Sequence, residues 1–389
     1  MSRIPAMNRR HDIDALRALA FGLLILYHVG MYYVPGWDWH LKSEYTADWL
    51  RYPMRFLNLW RMDLIFLLSG VALAFLRRGR TVGELLGRRT GRLLLPLAFG
   101  MAVVVPVQPY VQGMANGLVE PGFLRFLARY YAGGPWPRGA FDGWEHGVTW
   151  NHLWYLPYLW MYTAILLLFS GFLKSISLKP KGPWLLTLPA MPFVLYSVLL
   201  QSQFPVTHDL VHDWYLHAVY FTAFLYGYCI ATDAAFWAEA ARLRHLALVV
   251  ALGCFAAQLA FGGPVLRNFY LWTMIVAVLG YAHVHLNRPF RWLAWANESV
   301  YPWYVLHQSL ILAIAAFVAP AHVGPVFEPL LIALGTLAGC WTATEMLIRP
   351  WPFMRPLFGL KAFTGKESHA LPLPPHPAAP ELRHGHDTQ

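Results

Sequence analysis

Arg17 and His28 lie in the first hydrophobic stretch of the chain and are its first residues whose types and spacing could do chemistry. At about 100° per residue, the steps from Arg17 to His28 make three turns plus roughly 20°. Both side chains therefore fall on one side of a single helix, about 16 Å apart along its axis. An ionisable group deep in a bilayer costs roughly 2.5–3.5 kcal/mol or more, so it faces a cavity or a partner. Two on one stripe mark a polar path through a membrane. A neutral imidazole on that path can take a proton from a hydroxyl or act as a nucleophile. Asp63 enters the next apolar stretch at a depth that could approach His28 and orient its ring; a surface pair with Arg61 is the other reading. His307 lies inside a later apolar stretch, and His152 with Trp154 at the mouth of another.

The elements that must position these residues are long and apolar. The chain is 57% hydrophobic and 13% charged, outside the balance of a soluble domain. Continuous apolar runs, each long enough to cross a hydrocarbon core of about 30 Å, recur along nearly its whole length. Ten are expected, near 13–34, 59–77, 92–109, 152–173, 184–201, 215–232, 246–262, 268–286, 298–318 and 328–348. They do not alternate, which argues against a β-barrel. The fold class expected is an all-α polytopic membrane protein of about ten transmembrane helices with both termini cytoplasmic. That orientation leaves only Lys42, Arg51, Arg55, Arg61, Arg125, Arg129, Arg138 and Arg267 outside, with every other basic residue inside. Topology accounts for the positive charge, and no nucleic-acid partner is needed. Arg17 and His28 within the first stretch, and the lack of a small-x-small site after it, read as an uncleaved first span. Cys229, Cys254 and Cys340 all fall in expected spans, with no disulfide framework and no metal spacing.

Two outer segments are long, about 35–58 and 110–151, and both are aromatic. Trp37, Trp39 and Trp49 stand in the first, and Tyr130, Tyr131, Trp136, Trp144 and Trp150 in the second. They read either as an interfacial belt or as a platform for sugar rings, with His40, Lys42, Glu44, Asp142, Glu145 and His146 supplying hydrogen bonds. Pro157, Pro189, Pro192 and Pro302 interrupt spans and free backbone carbonyls that need other donors. Ser69 and Gly70 read as a site of close helix approach. The end of the chain, with Leu371-Pro372-Leu373-Pro374-Pro375-His376-Pro377, reads as a disordered tail, and His376, His384 and His386 as solvated.

Several separate stretches resemble the acyltransferase 3 superfamily of membrane-bound O-acyltransferases. They are Asp14-Ala15-Leu16-Arg17 followed by His28; Arg61-Met62-Asp63-Leu64-Ile65-Phe66-Leu67-Leu68-Ser69-Gly70; and Arg88-Arg89-Thr90-Gly91-Arg92-Leu93-Leu94-Leu95-Pro96. His152-Leu153-Trp154-Tyr155-Leu156 and Tyr301-Pro302-Trp303-Tyr304-Val305-Leu306-His307-Gln308 complete the set. Within the superfamily, Trp39-His40, Arg61-Met62 and Leu306-His307-Gln308 look most like the glucan biosynthesis protein C branch. Asp63 after Met62 departs from that branch and follows the broader superfamily.

The resemblance implies residues 1–350 as one acyltransferase 3-type transmembrane domain and 351–389 as a cytoplasmic tail, in a bacterial inner membrane. It implies transfer of an acyl group, succinyl or acetyl, from a cytoplasmic acyl-coenzyme A to a hydroxyl of an extracytoplasmic carbohydrate. The donor is a substrate, and no tightly bound cofactor is implied. Membrane lipid surrounds the chain. His28 would be general base or acyl carrier. Arg17 would hold donor phosphate or polarise the thioester, and Asp63 would orient His28. Guanidinium forks of Arg89 and Arg92 would hold the phosphates of coenzyme A. His152, Trp154, His307, Trp39 and His40 would line the substrate site. The competing expectation is a multi-span transporter or flippase of a glycan or acylated intermediate, which also needs intramembrane charges and broken helices.

Overall fold

The computed structural model describes residues 10–171 and 181–362, and every regular element among them is helical. In chain order the helices are α1 (His11–Tyr33), α2 (Arg51–Arg77), α3 (Val82–Phe99), α4 (Val107–Ala115), α5 (Phe123–Ala132), α6 (Tyr155–Leu168) and α7 (Trp184–Thr187). Then follow α8 (Met191–Leu199), α9 (Trp214–Ile230), α10 (Ala234–Phe261), α11 (Pro264–His285), α12 (Arg291–Val318), α13 (Gly324–Thr342) and α14 (Met354–Leu357). Seven helical runs are long and apolar enough to cross a membrane, built on α1, α2, α3 with α4, α10, α11, α12 and α13. The fourth, fifth and sixth expected spans are helical too, but shorter: α6 with a 3-10 turn before it, α7 with α8, and α9. The chain is a polytopic all-α membrane protein. Large apolar side chains such as Val249, Phe317 and Leu334 face outward, as lipid-facing surfaces must.

Helix starts follow local chemistry. The Thr81 hydroxyl accepts from Glu84 N at 3.2 Å at the head of α3, and Asp233 accepts from Ala235 N and Phe236 N at the head of α10. The α10–α11 turn passes through Gly262 and Gly263, both at positive φ (68° and 92°), where a side chain would be strained. At the close of α1, Lys42 Nζ reaches back to donate to Met31 O at 2.7 Å and Val34 O at 2.9 Å, satisfying carbonyls the helix leaves open. Partial burial pulls this ammonium down to about 8, against the pull of Asp38.

Close packing sets the bundle. A Cβ on Gly70 of α2 would overlap the Phe224 carbonyl of α9, and one on Gly227 of α9 would overlap the Leu67 carbonyl of α2. These reciprocal contacts bear out the small-residue reading of Gly70. Pro189 has no N–H for the Leu185 carbonyl one turn back; Trp272 Nε1 donates to it instead at 2.8 Å. Asp12, fully buried, takes two bonds from Arg10 (2.8 and 2.6 Å) and lies 3.1 Å from His283 Nδ1, tying α1 to α11.

Some boundaries differ from expectation. Helix α2 begins at Arg51, well before 59, because Pro53 falls in its first turn, where a missing N–H costs nothing. The third run continues beyond 109 through a π-turn at Gly100–Val104 into α4. Residues 351–362, expected as tail, fold back: Phe358 and Leu360 are buried in the main core, and Arg355 pairs with Glu298 at 2.9 Å. The Pro- and His-rich run with His376, His384 and His386, and the inner-loop Lys174 and Lys179, lie outside the described residues.

Candidate functional site

Helices α1 and α12 pack side by side and point the same way. Near their basic end Arg17 Nη2 donates to Asn297 Oδ1 at 2.7 Å and to Asp14 Oδ1 at 3.3 Å. Farther along, His28 Nδ1 lies 2.8 Å from His307 Nε2, the two rings stacked with centroids 5.0 Å apart. Arg17 and His28 thus both turn to α12, on the shared stripe their spacing predicts.

The partners assign the ring protons. His307 Nδ1 lies 2.8 Å from Tyr304 O and 3.1 Å from Trp303 O. Carbonyls only accept, so this nitrogen carries the hydrogen and His307 Nε2 is left as an acceptor. His28 Nδ1 must then donate to it, which leaves the lone pair on His28 Nε2. No described residue hydrogen-bonds that Nε2. His28 lines a cavity of about 450 Å³ shared with Arg61, Asp63, His152 and Trp154. The arrangement presents an unshared imidazole nitrogen, held in one tautomer, in a cavity inside a membrane domain.

A second polar chain buttresses this one. His152 donates from Nε2 to Val305 O (3.1 Å) and accepts at Nδ1 from Gln108 Nε2 (3.0 Å). The Gln108 amide also donates to Ser309 Oγ at 2.8 Å and accepts from Gln308 Nε2 at 3.1 Å. Gln308 in turn reaches His40 Nε2 at 2.8 Å, and His40 Nδ1 sits 2.8 Å from Gln112 Oε1 and 3.1 Å from Asp142 Oδ2. Six buried side chains from α4, the segment before α6, α12 and the first outer loop lock together. Such a network rigidifies what it holds only when every member is satisfied.

Asp63 shares the cavity but does not pair with His28, whose bond goes to His307. It is buried and its Oδ1 has no partner among the described residues. The alternative Arg61–Asp63 surface pair is not formed either: both residues are buried, without an ion pair between them. Arg61 instead lies with its Cζ 3.6 Å over the Tyr27 ring. Trp154 stacks on Tyr220 (5.8 Å) and is covered by His208 (4.3 Å), forming an aromatic wall toward the mouth. Burial lowers the His208 imidazole below its ordinary value, against the opposing charge of Asp213. Arg267 and Gln201, 3.2 Å apart, stand at that mouth and also border a second cavity of about 650 Å³.

Trp39 and His40 do not line the cavity that His28 lines. Trp39 packs on Tyr32 and His40, and His40 belongs to the buried network. Nor is the second outer segment an open platform. Tyr130 and Trp136 are buried with Phe126 and Phe141 in a small core of their own, while Tyr131 and, in the first segment, Trp49 stay exposed. Glu44 bonds His322 at 2.7 Å, a loop tie. Gln108, Gln112 and Arg61 were not expected at the site. The legible signal for the glutamines was their i,i+4 spacing inside an apolar run.

At the basic end, Arg89 has Nε and Nη2 buried without partners among the described residues, and feels the charges of Arg92 and Arg17. Arg92 is exposed, and its carbonyl accepts from Tyr301 OH at 3.0 Å. Between these arginines and His28 lie Phe21, Tyr155 and Tyr304, with ring centroids 5.5–6.4 Å apart, and Ser69 Oγ bonded to Tyr155 OH at 2.6 Å. A cluster of cations, an aromatic passage and a basic nitrogen therefore follow one another along α1.

No curated protein and no solved structure matches the chain. A family model described as an acyltransferase domain matches residues 10–345, a stretch that takes in Arg17, Arg89, His28 and His307 and most of the chain besides. The protein belongs to the acyltransferase 3 family and is a membrane acyltransferase.

Proposed function

We propose that this protein moves an acyl group, succinyl or acetyl, from cytoplasmic acyl-coenzyme A to a hydroxyl of an extracytoplasmic carbohydrate in a bacterial inner membrane. The observation that carries the reading is the lone pair that the His307–Tyr304 carbonyl chain fixes on Nε2 of His28, a residue that lines the cavity. A base must be deprotonated on the nitrogen that meets the substrate, and this one is. The acceptor hydroxyl gives its proton to His28 Nε2 as its oxygen attacks the thioester carbonyl; the sulfur then leaves and takes the proton, so ester and free thiol are the products. Arg89, Arg92 and Arg17 would hold the donor's phosphates at the basic end, where guanidinium forks suit phosphate geometry. The thioester would reach His28 along Phe21, Tyr155 and Tyr304. His152 and Trp154 would position the acceptor, with Trp154 offering a face to a sugar ring. The likeness to the glucan biosynthesis branch, in Trp39-His40, Arg61-Met62 and Leu306-His307-Gln308, supports a glucan as that acceptor.

The test uses the full chain in detergent or nanodiscs with acetyl- or succinyl-coenzyme A, reading release of free thiol. His28→Ala should lower turnover by about 10²–10⁴-fold with unchanged thermal stability. Turnover retained in that variant would reject the role of His28.

A further inference from the structure

Arg61 has no use yet in this scheme, and its surroundings are unusual. It is 4% exposed on α2, and its Nε and Nη1 hydrogen-bond to nothing among the described residues. The Tyr27 face lies 3.6 Å from Cζ, and Tyr27 precedes His28 on α1. Both Arg61 and His28 line the same cavity. Asp63, two residues on, makes no ion pair with it. A buried guanidinium with unpaired N–H groups is costly at rest, and the cost is offset when an anion forms or arrives against it.

We propose that Arg61 is a catalytic residue that binds the carbonyl oxygen of the acyl thioester and carries its negative charge in the tetrahedral intermediate. The inference rests on the acyl-transfer reading. As the acceptor oxygen bonds to the carbonyl carbon, the C=O pair moves onto oxygen, where Arg61 Nε–H or Nη1–H donates to it. His28 Nε2 holds the acceptor's proton. When the intermediate collapses, the pair returns, the C–S bond breaks and the sulfur takes that proton. The Tyr27 face keeps the guanidinium plane fixed beside His28, so the donors need no reorganisation as charge develops.

The experiment compares wild type, His28→Ala, Arg61→Ala and Arg61→Lys, as full chains, with acetyl-coenzyme A and with succinyl-coenzyme A. It reads thiol release, thermal stability and rescue by added guanidinium ion. Arg61→Ala should lower kcat by about 10²–10³-fold with either donor, leave donor KM unchanged and regain turnover with guanidinium. If Arg61→Ala does not fold, Arg61→Lys carries the test: it keeps a cation over Tyr27 but loses the fork, and its kcat should still fall at constant KM. Full turnover in both Arg61 variants beside an inactive His28→Ala overturns the role of Arg61 alone. A loss confined to succinyl-coenzyme A also overturns it, making Arg61 an anchor for the acyl carboxylate. A wild type that releases no thiol overturns the acyl-transfer reading itself.

Discussion

Replacing His307 by leucine perturbs the His28 tautomer without touching Nε2, the nitrogen proposed to act. His307 is fully buried, and its Nε2 is the acceptor for His28 Nδ1–H at 2.8 Å. Leucine offers no acceptor, so keeping the hydrogen on Nδ1 would bury an unsatisfied donor at about 1–3 kcal/mol. The ring relieves that cost by moving its hydrogen to Nε2, the nitrogen proposed to receive the acceptor's proton. At about 1.4 kcal/mol per factor of ten, the competent tautomer falls roughly 5–150-fold. Turnover should fall by that factor at unchanged donor KM. His307→Gln, whose side-chain carbonyl can accept from Nδ1, should keep activity within about tenfold of wild type. The assay is thiol release from acetyl-coenzyme A by the purified full chain, with melting temperatures to show that each variant is folded. Wild-type turnover in His307→Leu, or equal losses in the Leu and Gln variants at equal stability, would refute the reasoning.

Further outcomes follow from single contacts. Asp213, fully buried, accepts from Tyr158 OH (2.6 Å), Thr207 N (2.7 Å) and His208 N (2.7 Å). Asp213→Ala strands these donors at about 1–3 kcal/mol each, so a clear drop in melting temperature is expected and an unchanged one would contradict the role. Gly227→Ala should push α9 off the Leu67 carbonyl and cost roughly 1–3 kcal/mol, whereas Gly253→Ala, with open space around it, should not. Equal stabilities would dismiss the close approach. Substituting Arg89 and Arg92 together should raise donor KM with little change in kcat, and an unaltered KM would remove them from donor binding. The pH response of the mouth loop has a defined sign. His208 has its folded pKa lowered from 6.5, so the unfolded loop binds the proton first and stability declines as pH falls below about 6.5. Asp209 in the same loop is lowered to about 2: partial burial works against this, and bonds from His212 and Val211 outweigh it, so its contribution persists down to about pH 4. Protection from hydrogen exchange in residues 201–213, relative to the intrinsic rate at each pH, should therefore fall between pH 7 and 5 in wild type and not in His208→Phe.

The helices and the Arg17–His28 face were legible because continuous apolar runs and a 3.6-residue period need only local information. Depth was legible too, which is how Asp63 and His28 were placed at one level. Azimuth between helices was not: Asp63 shares the cavity, but His307, on a helix far along the chain, turns out to hold the imidazole. The loops misled for the same reason. Tyr130 and Trp136 have the composition of an exposed belt, yet Phe126 and Phe141 fold over them. His40 reads as a surface hydrogen-bonder until Gln112 and Gln308 enclose it. Gln112 went unread because its helix continues through a π-turn and past Pro106 beyond 109, where a span was expected to end, and Gln108 because its partners His152, Gln308 and Ser309 come from distant parts of the chain.

The central claim is that His28 Nε2 takes the proton of an extracytoplasmic carbohydrate hydroxyl during acyl transfer. Its most direct test is mass spectrometry of periplasmic and envelope glycans from cells carrying the intact protein or His28→Ala at equal membrane abundance. An ester mass, succinyl or acetyl, is expected on a glycan in the first and is expected to be lost in the second. Identical glycan ester profiles from the two would contradict it.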